Sequence, residues 1–377
     1  MTITEIDKSD VCDTTVMREL RKLVSLINTN VVDGLNEELD EIESTLIPET
    51  AETVASEVYG NYNVSLLASQ VKALASAVNN LQDVQTIVDG GNYGEGLYKL
   101  DGDVELTSTL SFTSNYVLFL NGYTLTGNII SRYNGCVIGE GVIYGHIYHY
   151  NYGSFYVVGT EFHVSGESKP CIYNYSDISD TNPMIFISDC TFYNDYTWLN
   201  LKWGRVIVEN CEFNGEGVSY LESDGITFNT VTYGLISNCT LNCPARRLYF
   251  TSDSSSGDVE IVDCTYEGDG ISHYSDLYVP VYCSSLNTFT LIRCVFNNVV
   301  SETVLCLDSS TTYKFIAIDC ASNSCSCTKL FQGISTHPSF VLSWTDSDSS
   351  VSSTSGEITA TYAYDIGDLT NSGTTLS

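Results

Sequence analysis

The sequence predicts a mainly β protein: a right-handed parallel β-helix, or solenoid, carried on an N-terminal α-helical, coiled-coil stem and closed by a small C-terminal β cap. Three observations carry this expectation. One apolar pattern recurs around six cysteines, a heptad stripe precedes it, and a glycine-rich stretch separates the two.

In chain order, Leu20, Val24, Ile27, Val31, Leu35, Leu39, Ile42 and Leu46 form a first helical stripe, weakened by Gly34 and ended by Pro48. Residues 1–63 are therefore expected to be a helical attachment segment and linker. Val64, Leu67, Val71, Leu74, Val78 and Leu81 then alternate steps of three and four, with Val at a and Leu at d. This marks 64–90 as a coiled-coil stem. The plainer alternative is one amphipathic helix capping the open end of the solenoid. The remaining faces carry Ala, Ser, Gln and Asn instead of strong charge, which favours the coiled coil. Gly90, Gly91 and Gly94 mark the switch into the solenoid, expected over 91–338.

The repeat reads IFISDCTF at 185–192, VIVENCEF at 206–213, GLISNCTL at 234–241, VEIVDCTY at 259–266, FTLIRCVF at 289–296 and FIAIDCAS at 315–322. With each cysteine (Cys190, Cys211, Cys239, Cys264, Cys294, Cys320) set to position zero, apolar residues fall mostly at −5 and −3, then at 0 and +2. Strand alternation would send the two pairs to opposite faces. Both are apolar, so the backbone must bend once between them. A single left-handed residue does this, and Gly, Asn or Asp tolerate it best. Position −1 is Asp189, Asn210, Asn238, Asp263, Arg293 and Asp319, with Arg293 the exception. The same rule locates earlier coils. Gly159 precedes Thr160 and Phe162, Gly141 precedes Val142 and Tyr144, and Gly122 precedes Tyr123 and Leu125. A second inward strand is expected at Ile226 and Phe228, Leu248 and Phe250, Val281 and Cys283, and Leu305 and Leu307. After 338 the pattern fades, so 339–377 reads as a cap, with strands at Phe340–Trp344 and Glu357–Tyr364.

LDGDVELTSTL at 100–110, followed by LFLNGYTLTG at 118–127, resembles the opening coils of pectin-lyase-like right-handed β-helices, over roughly 97–335. That fold hosts lyases, hydrolases, adhesins and inert viral fibres, so the resemblance speaks to fold more than to function. The order of acidic helical stem, glycine switch, β-helix and β tip resembles appendage proteins of bacteriophages or archaeal viruses: tail fibres, tailspikes and head fibres. It implies a homo-oligomeric virion protein that attaches to other virion proteins through its N-terminus and meets the host with its rod; Val at a with Leu at d leans toward two strands, whereas the fibre resemblance implies three, the preferred number.

For an enzyme, the resemblance offers Glu222 and Asp224 in ESDGI, similar to one polygalacturonase element. The paired aspartates, the Gly-His-Gly and the Arg-X-Lys that this family also needs are missing at the matching places, and an Asp before Gly is ordinary turn chemistry. Asp263, Glu267 and Asp269 near Arg246 and Arg247 could serve a lyase, but so acidic a chain assembles carboxylates by chance. The expectation is no catalytic residue, no metal and no cofactor. Cys320, Cys325 and Cys327 lack zinc spacing, and His146, His149 and His163 lack ligand spacing. Tyr196, Trp198 and Trp203, and the alternating Tyr148, Tyr150 and Tyr152, are candidate carbohydrate-binding aromatics, since sugars pack on flat apolar rings with polar tips. Interior or inter-subunit packing is the competing reading.

Net charge is −32, from 47 acidic against 15 basic side chains. Such a surface repels nucleic acid and anionic membranes. No stretch reaches the ~18–20 apolar residues of a membrane span. Met1 to Asp13 shows no basic-then-apolar secretory signal. Synthesis in the host cytoplasm, localisation to the virion and reduced thiols for the 14 cysteines follow as expectations. A host surface glycan is the expected receptor, and a polysaccharide-degrading spike or a non-viral β-helix adhesin the alternatives.

The bend makes a direct prediction. Asn238→Val forces a β-branched residue into left-handed backbone and should cost about 1–2 kcal/mol or more. Thr240→Val, on the outward side, should stay within about 0.5 kcal/mol. Equal melting temperatures for the two variants would refute the corner.

Overall fold

The computed structural model describes residues 84–351, apart from 90, 151–152, 165–168, 176–182, 195, 216–223, 243–246, 252–256, 271–279, 285, 308–313, 333–338 and 348. The stem, Glu222, Tyr152, Cys12, Cys243, Arg246 and the 357–364 strand lie outside the described residues. Within them the chain is mainly β, a solenoid of two long parallel sheets with 21 and 12 strands.

Each full coil contributes three strands. A first strand, such as Arg205–Glu209, is followed across a corner by a short second strand, Glu212–Asn214, and then by a third, Asp224–Asn229. First and second strands make the creased larger sheet, and third strands make the smaller one. Each strand pairs in register with its equivalent one coil away, as in Val206↔Gly234, Phe213↔Leu241 and Leu199↔Ile226.

The crease lies at position −1. Gly159, Asp189, Asn210, Asn238, Asp263, Arg293 and Asp319 all have positive φ, between 49° and 72°. Arg293 takes the same geometry as its neighbours (φ 50°). Its guanidinium donates to both carboxylate oxygens of Asp263 in the preceding coil, at 2.6 and 2.7 Å. This bidentate pair offsets a backbone strain of ~1–2 kcal/mol that Asn or Asp would feel less. Asn238 donates to Asn210 Oδ1 at 2.6 Å, so the corner side chains also stack.

Behind each corner sits the cysteine. The six are 1–3% exposed, and none is in a disulfide. Their thiols donate to the carbonyl two residues back: Cys190 to Ser188, Cys211 to Glu209 and Cys239 to Ser237, each at 3.1 Å. The left-handed residue turns that carbonyl toward the sulfur. The N–H of Cys211 in turn points at Cys239 Sγ, and that of Cys239 at Cys264 Sγ. Cysteine is thus a small apolar residue that also satisfies the polar backbone at the bend. At +2, Phe162, Phe192 and Phe213 stack at 5.0 and 4.9 Å, nearly parallel.

Two expectations need correction. Val142 and Tyr144 do not face inward: Ile143 is buried, Tyr144 is 49% exposed, and Gly141 pairs with the zero position. The corner there is Gly139 (φ 102°) followed by Glu140, two residues instead of one, and the phase slips. Tyr123, after the two-residue corner Asn121 and Gly122, is likewise 38% exposed. The expected boundary at 339 also shifts, while 352–377, the rest of the expected cap, lies outside the described residues. Ser339–Ser347 pairs in parallel with Lys314–Asn323, and Ser350–Val351 with Ser326 and Cys327, which adds one more coil. A register shift there places Trp344 over Cys320; it is 4% exposed, and its Nε1 donates to Ser322. At the other end, Gln85–Thr86 already pairs with Tyr98 and Lys99.

Buried ionisable groups set opposite pH limits. His149 lies inside the rod between Ser131 and Gly153 O, and burial lowers its pKa to about 4. Its contribution is complete above the ordinary 6.5 and is lost as pH falls toward 4. Burial instead raises Glu209 and Glu260 to about 7, so their contribution is lost as pH rises from 4.5 through 7. Glu209→Gln, which keeps an acceptor for Ser188, should therefore raise the melting temperature at pH 8.5 and not at pH 4. Thermal scans of both proteins at the two pH values check the sign.

Candidate functional site

The outward face of the smaller sheet gathers most of the chemistry. Along its strands, inward residues such as Ile147, Leu199, Phe228 and Phe250 alternate with outward ones. The register aligns Tyr148, Tyr173, Asn200, Thr227, Tyr249 and Tyr282 in a single outward column. Beside it run Tyr150, Lys202, Asn229 and Thr251.

Aromatic rings stand at both ends of this column. Tyr148 packs against Tyr173 edge-on at 6.2 Å and beside Tyr150 at 6.2 Å. Tyr249 and Tyr282 stack at 5.3 Å. Arg247 lies over both of the latter, 4.8 and 5.6 Å from the ring centres, and its Nε donates to Asp224 at 2.5 Å. Between the two aromatic ends Asn200 and Thr227 form a polar floor. Tyr173 and Tyr249 are three coils apart, about 14 Å along the axis.

The edge of this floor is strained. Trp203 (φ 66°) and Thr230 (φ 56°) occupy equivalent positions after Lys202 and Asn229. For a bulky and a β-branched residue this costs on the order of 1–3 kcal/mol each. Gly204 (φ 79°) follows Trp203; a Cβ there would sit 2.2 Å from Pro183 O, so no other residue fits. The turn holds the Trp203 ring at the rim, with Lys202 Nζ 5.9 Å from its centre.

The aromatic residues singled out from sequence are divided among several places. Tyr148, Tyr150 and Trp203 belong to this face. Trp198 is fully buried: its Nε1 donates to Asn214 O, and its ring packs on Phe213. It is a core residue and presents no exposed ring to a sugar. Tyr196 is half-buried, its N–H bound by Asn194 Oδ1. Tyr173, Tyr249, Tyr282 and Arg247 were not singled out as binding residues. Their signal was an aromatic between the two inward residues of a third strand, as in RLYFT and VYCS.

The catalytic and metal candidates are dispersed as well. Asp224 is held by Arg247, and Asp263 by Arg293. Glu267 accepts from Asn297 at 2.6 Å. Asp263 sits at the corner itself and Glu267 at the far end of the second strand, Thr265–Glu267. His146 faces Pro170 O, His149 is internal, and His163 stacks outside between Tyr144 and Tyr193. Among the described residues no group of three or more His, Cys, Asp or Glu is placed to hold a metal. No family model, curated protein or solved structure matches the chain.

Proposed function

We propose that this chain is a fibre or spike protein of a virus particle, whose rod binds a host surface carbohydrate along the outward face of the smaller sheet. In this reading the solenoid is right-handed, and the heptad at 64–81 is a stem that holds three copies. The N-terminus joins other virion proteins. The observation that carries the binding role is the column from Tyr148 to Tyr282: two aromatic ends, a polar Asn200–Thr227 floor, and a guanidinium already oriented by Asp224. Flat rings with polar tips, spaced along a stiff rod, suit a chain of sugar rings. Parallel strands locked on both sides hold those rings without further ordering cost on binding.

Tyr249→Ala with Tyr282→Ala should weaken binding to host surface polysaccharide at least tenfold in a glycan-binding assay. The outward positions predict little change in melting temperature. Undiminished binding by the double variant would remove this face from the proposal. Mass photometry at micromolar concentration should give three copies per particle, and a monomer would remove the stem reading.

A second reading, a polysaccharide-degrading spike, rests on Asp224 within ESDGI. The ion pair with Arg247 speaks against it, because that carboxylate is already committed. New reducing ends or unsaturated sugars released by the protein, and lost in Asp224→Ala, would make the enzyme the better reading.

A further inference from the structure

Acid is spread unevenly over the rod. The strands of the larger sheet carry nine carboxylates against three cations, in keeping with a chain of net charge −32. The strands of the smaller sheet carry two carboxylates, Asp224 and Glu302, against three cations, Lys202, Arg247 and Lys329. One of those two carboxylates is the partner of Arg247. Of the two sheets, the one that presents the tyrosine column is therefore the one whose strands repel an anion less.

Arg247 turns this bias into a site. Its Nε donates to Asp224 Oδ1 at 2.5 Å. Register sets Asp224 opposite Arg247 in the adjacent coil, with a shift in the pairing just after Asp224. The guanidinium lies over the Tyr249 and Tyr282 rings, 4.8 and 5.6 Å from their centres. A carboxylate behind and two rings beneath fix the plane of the fork, so little side-chain freedom remains to be lost on binding. Yet the side chain is 35% exposed, and among the described residues no acceptor is bonded to its Nη groups. Arg293 is the contrast. Its Nε and Nη2 both donate to Asp263, at 2.6 and 2.7 Å, and that fork is closed within the protein. A pin that only joined two coils would take the Arg293 geometry. Arg247 is held by one edge and presents the other.

We propose that Arg247 reads an oxyanion on the bound glycan, a carboxylate or a sulfate or phosphate ester, so that the rod selects acidic over neutral sugar chains. This rests on the carbohydrate reading above and adds the chemical class of the sugar. The Nη edge of a guanidinium meets such a group with two parallel N–H···O bonds, both charge-assisted, which a neutral hydroxyl cannot match. The charged sugar sits beside Tyr249 and Tyr282, whose rings take the apolar face of the same or the next sugar. Lys202 adds a second cation two coils along the same floor, about 10 Å away.

The test presents the full-length chain to an oligosaccharide array. The array pairs uronic- and sialic-acid sugars, sulfated sugars and phosphorylated sugars with their neutral parents. Bound members should be acidic, and the group they fall in identifies the oxyanion. Their binding should weaken as salt rises. Arg247→Lys keeps the charge and loses the fork, and it should cut binding of those members at least tenfold. Arg247→Gln, which loses both, should cut it at least as far. Binding is expressed per folded rod, counted by circular dichroism, so that a variant that folds poorly is not mistaken for one that binds poorly. Neutral parents bound as well as their acidic partners would overturn the proposal and leave the carbohydrate reading standing. So would acidic binding that survives Arg247→Lys and Arg247→Gln. An array with no bound member would remove the carbohydrate reading itself, and this proposal with it.

Discussion

At each coil one residue turns through left-handed backbone, and the arrangement of the rod depends on that turn. It reverses strand parity, so that residues at −3 and 0 both face the axis. It also turns the N–H of the zero-position residue away from a carbonyl partner and onto sulfur in the next coil, as Cys211 N–H to Cys239 Sγ. The cysteine suits this place: it is small enough to stack at strand spacing, its sulfur accepts the N–H from the coil before, and its thiol adds a second bond to the carbonyl at −2, which already accepts the corner N–H of the coil before. A serine would bring a second lone-pair demand into an apolar core, and an alanine would leave the N–H of the coil before without its sulfur acceptor. Burial pushes the Cys211, Cys264 and Cys320 thiols well up, so they remain protonated donors.

Once that corner is fixed, the outer surfaces divide the labour. The first-strand face is shielded, with Ser188, Glu209, Ser237 and Thr290 set among its apolar residues. The second-strand face carries hydrogen-bonded asparagines, Asn242 to Asn214 and Asn323 to Asn297, after an aromatic stack at Tyr144, His163 and Tyr193. The third-strand face carries the tyrosines, with Arg247 between them. One in-register scaffold therefore presents three different chemistries on its sides, and a column is changed by substituting one position per coil.

The corner was readable from sequence because few residue types tolerate it, and the repeat gave enough instances to expose the parity break. Arg293 looked like a violation because its compensation, Asp263, is a full coil away in the chain. The slip at Val142 and Tyr144 arose because Gly139-Glu140-Gly141 spells a one-residue and a two-residue corner equally well. Trp198 was misplaced because connectors between strands have no periodicity to say which way a side chain points. Tyr249 and Tyr282 needed strand register, which no single segment contains. The shielding of outward side chains on the first strands was visible after all: IFI at 185–187 and VIV at 206–208 do not alternate, all six residues are buried, and an unbroken apolar run is the mark of a strand covered on both sides.

The stacking direction has a mechanical consequence. Backbone hydrogen bonds between coils run along the rod, so a pull on its two ends loads them lengthwise. Each coil boundary would open like a zipper tooth, with the end coils first, since they have a neighbour on one side only. A sideways load meets covalent backbone instead. Trp344, sealing the cysteine column over Cys320 and stacked on Phe296 at 5.5 Å, gives the last full boundary more contact than its short strands would supply. Under tension such a rod behaves as a ratcheted tether that yields in coil-sized steps, and it stays stiff against bending until the first step is taken.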